Sequence, residues 1–224
     1  MAALQAFNAA DGTVYGWPPQ IDAVLESDLV RLMRETTASD PIIGFGTTIT
    51  DKEAVQYVAE LREGLRTGKC RLLAVRRGGA LIAMCTLRRN TSPNNRHITD
   101  FAKGMIAKRC RGGTLLAAAF YEMAVQCEKD GVELVTLDVR ANTRAHLIWE
   151  RYGFEIYGTL ADYARVNGES LAGHFMMQKV TRLKLRSLAI LNARFDRGRS
   201  AATPVQRRID RIPATASGIG TANE

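Results

Sequence analysis

A basic loop with two adjacent glycines is the stretch of this chain whose residue types point most directly to chemistry. It reads Arg109, Cys110, Arg111, Gly112, Gly113 and Thr114, and the apolar, alanine-rich run 115–120 follows at once. This order predicts a helix that starts at the glycines, with free backbone N–H groups and the positive end of its dipole facing the loop. The loop is therefore expected to hold a pyrophosphate group. It is not a nucleotide P-loop, because no Gly-Lys pair precedes Thr114.

Two helices and a β-hairpin are predicted ahead of this loop. Apolar residues in 21–36 have helical spacing, and a second helix begins with a capping box of Thr50 and Glu53. Two apolar runs within 71–87 flank a Gly-Gly turn and predict the hairpin. A third strand, 97–107, leads into the glycine loop.

The remaining elements alternate between helix and strand. The spacing predicts a helix over 113–129, a strand over 132–139, a helix over 141–152, and strands over 154–159 and 172–178. An Asn-Gly turn at 167–168 lies between the last two strands. This order predicts an α/β fold with a mixed sheet, preceded by an irregular segment, 1–20.

Composition restricts the class of protein. The chain has 224 residues, and its hydrophobic content of 46% and charged content of 24% are typical of a soluble globular domain. It contains no run of 18 apolar residues and does not begin with a basic region followed by an apolar block, so we expect neither a membrane span nor a secretory signal. The four cysteines lack Cys-x-x-Cys spacing, which favours free thiols in a reducing cytoplasm over a metal site.

Positive charge is concentrated near the end of the chain. Residues 181–224 hold nine of the 31 Lys and Arg and only three acidic residues, whereas the rest of the chain is nearly neutral. We expect a basic amphipathic helix over 181–196 and a disordered tail over 197–224. The main domain is then 21–180.

Two motifs resemble those of one family, the GCN5-related N-acetyltransferases (GNAT). The family's donor-binding signature, Gln/Arg-x-x-Gly-x-Gly/Ala, is similar to 109–114, except that Thr114 replaces the final Gly or Ala. The second motif is an Asn, then Ala three residues on, then Tyr-x-x-x-Gly-Phe; here Asn142 starts the run, which ends at Tyr152, Gly153 and Phe154. Trp149 stands where the family often has tyrosine.

The resemblance implies a mixed, mostly antiparallel sheet with splayed central strands, flanked by helices, and acetyl-CoA as co-substrate. The loop amides from about Cys110 to Thr114, with Arg109 and Arg111, would hold the pyrophosphate. Gly104, Met105 and Ile106 lie where the open strand edge binds the pantetheine amides. Asn142 would hydrogen-bond the pantetheine arm, and Trp149 would line the acetyl pocket.

The resemblance also implies direct attack of a neutral amine on the thioester. Asp100 is the candidate base that takes the ammonium proton, while Asp138 is expected at a strand edge without a catalytic role. The usual acid is the tyrosine that Trp149 replaces, so either Tyr152 or water would protonate the leaving thiolate, or the thiolate would leave unprotonated. The side chain of Cys110 is expected to face away from the reaction.

The acceptor and the partners are left open by the sequence. We expect the first two helices, their loop (40–49) and the turn at 163–171 to select the acceptor, and we favour a small-molecule amine. One alternative is acyl transfer from an acidic acyl carrier protein or a larger acyl-CoA, to which the basic helix is suited. The other is a degenerate CoA-binding module whose basic tail binds nucleic acid or an anionic surface. A homodimer is expected only because the family often forms one.

Overall fold

The computed structural model describes residues 7–8, 11–39 and 48–201. In this part the chain forms eight strands and five α-helices. In chain order they are β1 (Phe7–Asn8), β2 (Thr13–Gly16), α1 (Ala23–Ser39), α2 (Asp51–Arg66), β3 (Cys70–Arg77), β4 (Ala80–Arg89), β5 (Ile98–Ile106), α3 (Leu115–Lys129), β6 (Leu134–Arg140), α4 (Arg144–Arg151), β7 (Glu155–Val166), β8 (Glu169–Lys179) and α5 (Val180–Ala201).

All eight strands form one sheet, in the order β1-β2-β3-β4-β5-β6-β8-β7. Only β5 and β6 pair in parallel, so the expectation of a mixed, mostly antiparallel sheet is confirmed. The prediction that 1–20 is irregular is wrong in part, because β1 pairs with β2 and Thr13–Gly16 of β2 pairs with β3.

The two central strands, β5 and β6, separate after a short paired stretch. They pair only from Ile98 to Asp100 on β5, opposite Leu134 to Thr136 on β6. Beyond that point β5 stays paired with β4 as far as Ile106, and β6 stays paired with β8. The splayed central strands that the resemblance implies are therefore present.

Helices cover the two faces of the sheet unequally. The helices α1 and α2 pack on β3, β4 and β5, and their buried residues form one core with Leu72 and Met84. The expected capping box of Thr50 and Glu53 opens α2. On the other face, α3 forms the second core with Phe101 of β5, with parts of α4 and α5 packed against it. Within the described ranges, no helix packs on the β6–β8–β7 half of the first face as α1 and α2 pack on β3, β4 and β5.

The basic C-terminal helix is present but is longer than expected. It packs on α3 and continues past residue 196 to Ala201; residues 202–224 of the expected tail lie outside the described residues. Lys184 Nζ lies 2.6 Å from Glu128, and an Arg182 guanidinium nitrogen lies 3.1 Å from Glu155. At least two positive charges of this helix therefore form ion pairs with acidic residues of the same domain. No helix in the described part of the chain is long and apolar enough to cross a membrane.

Candidate functional site

A cleft of about 600 Å³ passes through the sheet where β5 and β6 separate. Its walls come from both strands, from the glycine loop, from α3 and α4, and from Tyr163 on β7. Because the gap opens the sheet to both faces, one end of the cleft reaches the glycine loop. The other end, which we call the acceptor mouth, lies among charged and polar residues on the α1–α2 face: Arg88, Lys103, Asp138, Arg140 and Tyr163.

The glycine loop presents open backbone amides to the first end of the cleft. Gly112 and Gly113 have φ of 96° and 59°, and no atom lies within 4 Å of where a Cβ would stand on either. Within the described residues, no protein acceptor takes the N–H groups of Gly112, Gly113 or Thr114. The amides of Cys110 and Arg111 instead bond the carbonyls of a short 3₁₀ turn, at 2.8 and 3.3 Å. Three of the five predicted amides therefore remain open for an anion.

The two arginines of the loop have different surroundings. Arg111 lines the cleft, and its Nε donates to the Ile106 carbonyl at 3.2 Å. Arg109 turns away to α1, where its guanidinium lies 3.1 Å from Glu35, so much of its charge is offset. Sequence reasoning missed Arg144 and Arg151, which line the cleft from α4. Their seven-residue spacing places them on one helix face, and this signal could have identified them.

A β-bulge shapes the strand edge that was predicted to bind the pantetheine arm. Thr86 pairs with Ala102 and Met84 with Met105, so Cys85 alone stands opposite two residues of β5. One of them, Lys103, has φ of 53°, which is unusual for a residue with a side chain. The bulge turns this stretch toward the cleft, and the predicted residues Gly104, Met105 and Ile106 line it.

Aromatic side chains form the wall of the cleft on the α3–α4 side. Trp149 stacks on Phe120 with ring centroids 4.9 Å apart, and Tyr152 meets Phe120 edge-on at 4.5 Å. Both predicted residues line the cleft, and the Tyr152 ring is buried. Asn142 lies exposed on the turn before α4 with φ of 59°, a conformation that asparagine tolerates better than most residues.

Asp100 lies beside the acceptor mouth, in a partly buried position. A guanidinium nitrogen of Arg88 lies 3.8 Å from its carboxylate, and the Thr136 hydroxyl donates to it at 3.3 Å. Burial, reinforced by the charge of Asp138 and opposed by Arg88, raises the pKa of Asp100 to about 6. A carboxylate with such a pKa can accept a proton at neutral pH and release it again.

Asp138, which was expected at a strand edge, lines the cleft. It lies on a central strand, at the point where the edge of β6 is open. The Tyr163 hydroxyl donates a hydrogen bond to its carboxylate. Burial, together with this bond, raises the pKa of Tyr163, and burial lowers the pKa of Lys103. The alternation of Thr136, Asp138 and Arg140 with apolar neighbours was the signal for this polar face.

The structure also bears on the segments expected to select the acceptor and on the cysteines. Residues 40–47 of the loop expected to select the acceptor lie outside the described residues. The turn at Asn167-Gly168 joins β7 to β8, and Tyr163 from that region reaches the cleft. All four cysteines are free. Among the residues that the structure describes, no three His, Cys, Asp or Glu side chains are grouped so that they could hold a metal ion.

Comparison with known proteins gives a structural match only. Neither a protein-family model nor a curated protein sequence matches the chain. Among solved structures, the ribosomal-protein-alanine N-acetyltransferase of Brucella melitensis is similar, with 19% identity, a TM-score of 0.60, and 71% of this chain and 97% of that chain covered.

Two structures solved with a coenzyme A ligand are similar too. Mycobacterium smegmatis RimJ in complex with CoA-disulfide has 16% identity and a TM-score of 0.65, with 84% of this chain and 93% of that chain covered. Salmonella typhimurium yncA, solved with its cofactor acetyl-CoA, has 10% identity and a TM-score of 0.61, with 75% and 94% covered. The described part of this chain therefore has the fold of the GCN5-related N-acetyltransferases.

Proposed function

We propose that this protein transfers an acetyl group from acetyl-CoA to the primary amine of a small molecule, by direct attack. The observation that carries the proposal is the cleft through the sheet, with open amides at one end and a carboxylate of raised pKa beside the other. The fold shared with RimJ and yncA, whose structures hold CoA-disulfide and acetyl-CoA, supports the choice of donor.

The residues at the glycine loop fit a coenzyme A molecule. The N–H groups of Gly112, Gly113 and Thr114 would bind the pyrophosphate, and Arg111, Arg144 and Arg151 would add positive charge around it. The open edge at 104–106 would hydrogen-bond the pantetheine amides as an added strand does. Bound acetyl-CoA supplies the thioester that the amine attacks.

Residues of the cleft and beside its acceptor mouth fit the proton transfers of the reaction. An amine arrives largely as ammonium and must lose a proton before it can attack. Asp100 would take that proton, directly or through water. Tyr152 would give a proton to the leaving thiolate, since the Trp149 indole cannot. One backbone N–H of 104–106 would polarise the thioester carbonyl, a contribution of about 10²–10³ in rate in other enzymes.

The two alternatives from the sequence gain no support from a specific contact. An acyl carrier protein donor and nucleic-acid binding both depend on a basic C-terminal segment that is available to a partner, whereas a larger acyl-CoA donor does not and stays a prediction. In the described part of α5, however, Lys184 and Arg182 are paired with acidic residues of the domain, and Arg186 Nε donates to the Arg151 carbonyl at 3.1 Å. An acyl carrier protein donor, a nucleic-acid-binding tail and a homodimer remain predictions, as does a cytoplasmic location.

A screen for CoA release tests the proposal. Primary amines and short peptides are offered with acetyl-CoA, and the free thiol is measured. We expect turnover with at least one small amine and loss of turnover in Gly112→Asp. If no amine releases CoA although CoA itself binds and raises the melting temperature, the protein is a binding module and the proposal is wrong.

A further inference from the structure

An amine of the protein itself lies at the acceptor mouth. Among the described lysines, only Lys103 lines the cleft. It lies on β5, immediately before the stretch 104–106 whose open edge would bind the pantetheine arm under the proposed function. Its side chain is therefore in the region where the amine of an acceptor would have to approach the thioester.

The backbone conformation of Lys103 is unfavourable for a residue with a side chain. Its φ of 53° is in the left-handed region, at the bulge where Cys85 stands opposite two residues of β5. A glycine adopts such a conformation without steric cost, and the chain has a glycine at the next position, 104. The bend of β5 alone therefore does not require a lysine at 103. The bulge does direct the lysine side chain into the cleft, and bulges commonly re-aim side chains in this way.

Charged groups from three neighbouring elements act on the Lys103 amine. Burial lowers the pKa of this amine most strongly, and the positive charge of Arg88 on β4 lowers it further. The carboxylates of Asp138 on β6 and Glu60 on α2 oppose this effect. Because the resulting pKa lies below the usual value for lysine, more of this amine is neutral near neutral pH than in an exposed lysine. The neutral form is the one that can attack a thioester.

The position of the thioester is within reach of a lysine side chain. Under the proposed function, one backbone N–H of 104–106 binds the thioester carbonyl. The chain from Lys103 to Met105, the middle of this stretch, spans at most about 7 Å. The flexible four-carbon stem of a lysine carries its amine over a comparable distance. The amine and the thioester can therefore meet within one cleft, without a second protein molecule.

We propose that Lys103 is acetylated by the acetyl-CoA that is bound in the cleft of its own chain. The inference rests on the proposed function, because it needs the same donor in the same cleft. It does not need a free amine as acceptor, so the two proposals can be tested separately.

The reaction transfers the acetyl group from sulfur to the lysine nitrogen. The ammonium group first gives one proton to solvent. The neutral Nζ then attacks the carbonyl carbon, so that the N–C bond forms and the C–S bond breaks with its electron pair on sulfur. The nitrogen loses a second proton, which neutralises the coenzyme A thiolate. The product is a stable amide, so each chain takes one acetyl group at this position and Lys103 loses its positive charge.

Incubation with acetyl-CoA in the absence of any added amine tests the proposal. Tandem mass spectrometry of peptides locates the acetyl groups and follows their appearance with time. We expect one acetyl group at Lys103, with one coenzyme A released for each Lys103 that is acetylated. The exposed Lys52 and Lys69 report chemical acetylation in the same sample. They should react about tenfold more slowly or less, because they are not held next to a bound donor.

The kinetics distinguish reaction with the bound donor from chemical acetylation. The rate at Lys103 should saturate as acetyl-CoA is raised, and at saturation the first-order rate constant should not change when the protein is diluted. In the urea-unfolded chain, Lys103 should react as slowly as Lys69. A folded protein in which Lys103 reacts no faster than Lys69 would overturn the proposal. A rate constant that falls in proportion to dilution would overturn it too, because one chain would then modify another.

A pair of conservative variants assigns the modification to one residue. Lys103→Arg keeps the positive charge but removes the amine, and it should abolish the acetyl group that intact-protein mass spectrometry detects. Lys69→Arg is the matched control, since Lys69 is exposed and does not line the cleft, and it should keep that acetyl group. An acetyl group that appears at the same rate in Lys103→Arg lies on another residue, and this result contradicts the proposal.

The outcomes separate this inference from the proposed function. Turnover of a small amine while Lys103 stays unmodified overturns self-acetylation and leaves acetyl transfer intact. Acetylated Lys103 without turnover of any added amine supports the inference and overturns the small-molecule acceptor alone. If neither reaction occurs although coenzyme A binds, both proposals are wrong.

Discussion

The proposed pyrophosphate site at the glycine loop can be tested with two variants of one residue that differ in charge and hardly at all in side-chain shape. Gly112→Asp and Gly112→Asn have side chains of nearly equal size, and both must adopt φ of 96°. Each variant therefore has a similar strain, about 1–2 kcal/mol for a side chain at positive φ. Because no atom lies within 4 Å of the position of the Cβ, neither variant is expected to clash in the free protein. The two variants differ in charge, and their comparison isolates electrostatics at the loop.

The size of the charge effect follows from Coulomb's law. A carboxylate about 6 Å from each of two phosphate charges, at an effective dielectric constant of about 40, opposes binding by about 3 kcal/mol in total. This corresponds to roughly a 100-fold weaker affinity for CoA in the aspartate variant than in the asparagine variant. The difference should shrink as salt is added, because the loop glycines are exposed and the repulsion is screened.

Titration calorimetry with CoA measures this ratio, at low salt and again at high salt. Gly131→Asp is the control, since Gly131 also has positive φ, of 71°, and open space around it, but lies at the other end of α3. We expect this variant to bind CoA as the unmodified protein does. If Gly112→Asp and Gly112→Asn bind CoA within threefold of each other at low salt, the pyrophosphate does not lie on these amides.

Three further predictions concern the reaction and the stability of the fold. The value of kcat/KM should rise about tenfold from pH 5 to pH 7 as Asp100, with a pKa of about 6, loses its proton. Asp100→Asn should remove this rise. Asp138→Asn should move the rise to lower pH, because the charge of Asp138 helps to raise the pKa of Asp100. In Tyr152→Phe the packing on Phe120 remains, so a fall in kcat of about 100-fold, with unchanged melting temperature, would assign proton donation to the hydroxyl, whereas an unchanged kcat would exclude the hydroxyl as the donor. In Thr50→Ala the free energy of unfolding, measured with urea, should fall by about 1 kcal/mol, and an unchanged value would mean that the capping box contributes nothing.

Local sequence patterns predicted most of the elements that carry the site. The glycine loop, the helix behind it and the hairpin of β3 and β4 each depend on short-range signals, which are strong here. The strand β2 escaped prediction because Gly12 and Gly16 flank only a few residues, and its partner β3 lies about 60 residues away in the chain. This strand forms because it pairs with a distant part of the chain, and the spacing of apolar residues within a short segment does not reveal such a partner.

The positions of two site residues that the sequence did not predict correctly also depend on contacts between residues that are far apart in the chain. Arg109 was expected at the diphosphate, but Glu35, 74 residues away in the chain, binds its guanidinium. Asp138 was visible as a polar residue on an alternating strand. The hydrogen bond that it accepts depends on Tyr163 and on the absence of a side chain at Gly173, and neither relation is visible in a single sequence.

The break between β5 and β6 joins these separate contacts into one site. A fully paired parallel sheet would bury the edges of both strands and separate the α3 face from the α1–α2 face. Here pairing stops at Asp100, and the bulge at Lys103 directs the rest of β5 toward the gap. A molecule seated on the α3 side and another at the acceptor mouth can therefore meet within the sheet itself. Under the proposed function, the residues next to the break would have most influence on which amine reacts, and this is where Asp100, Asp138 and Arg88 lie.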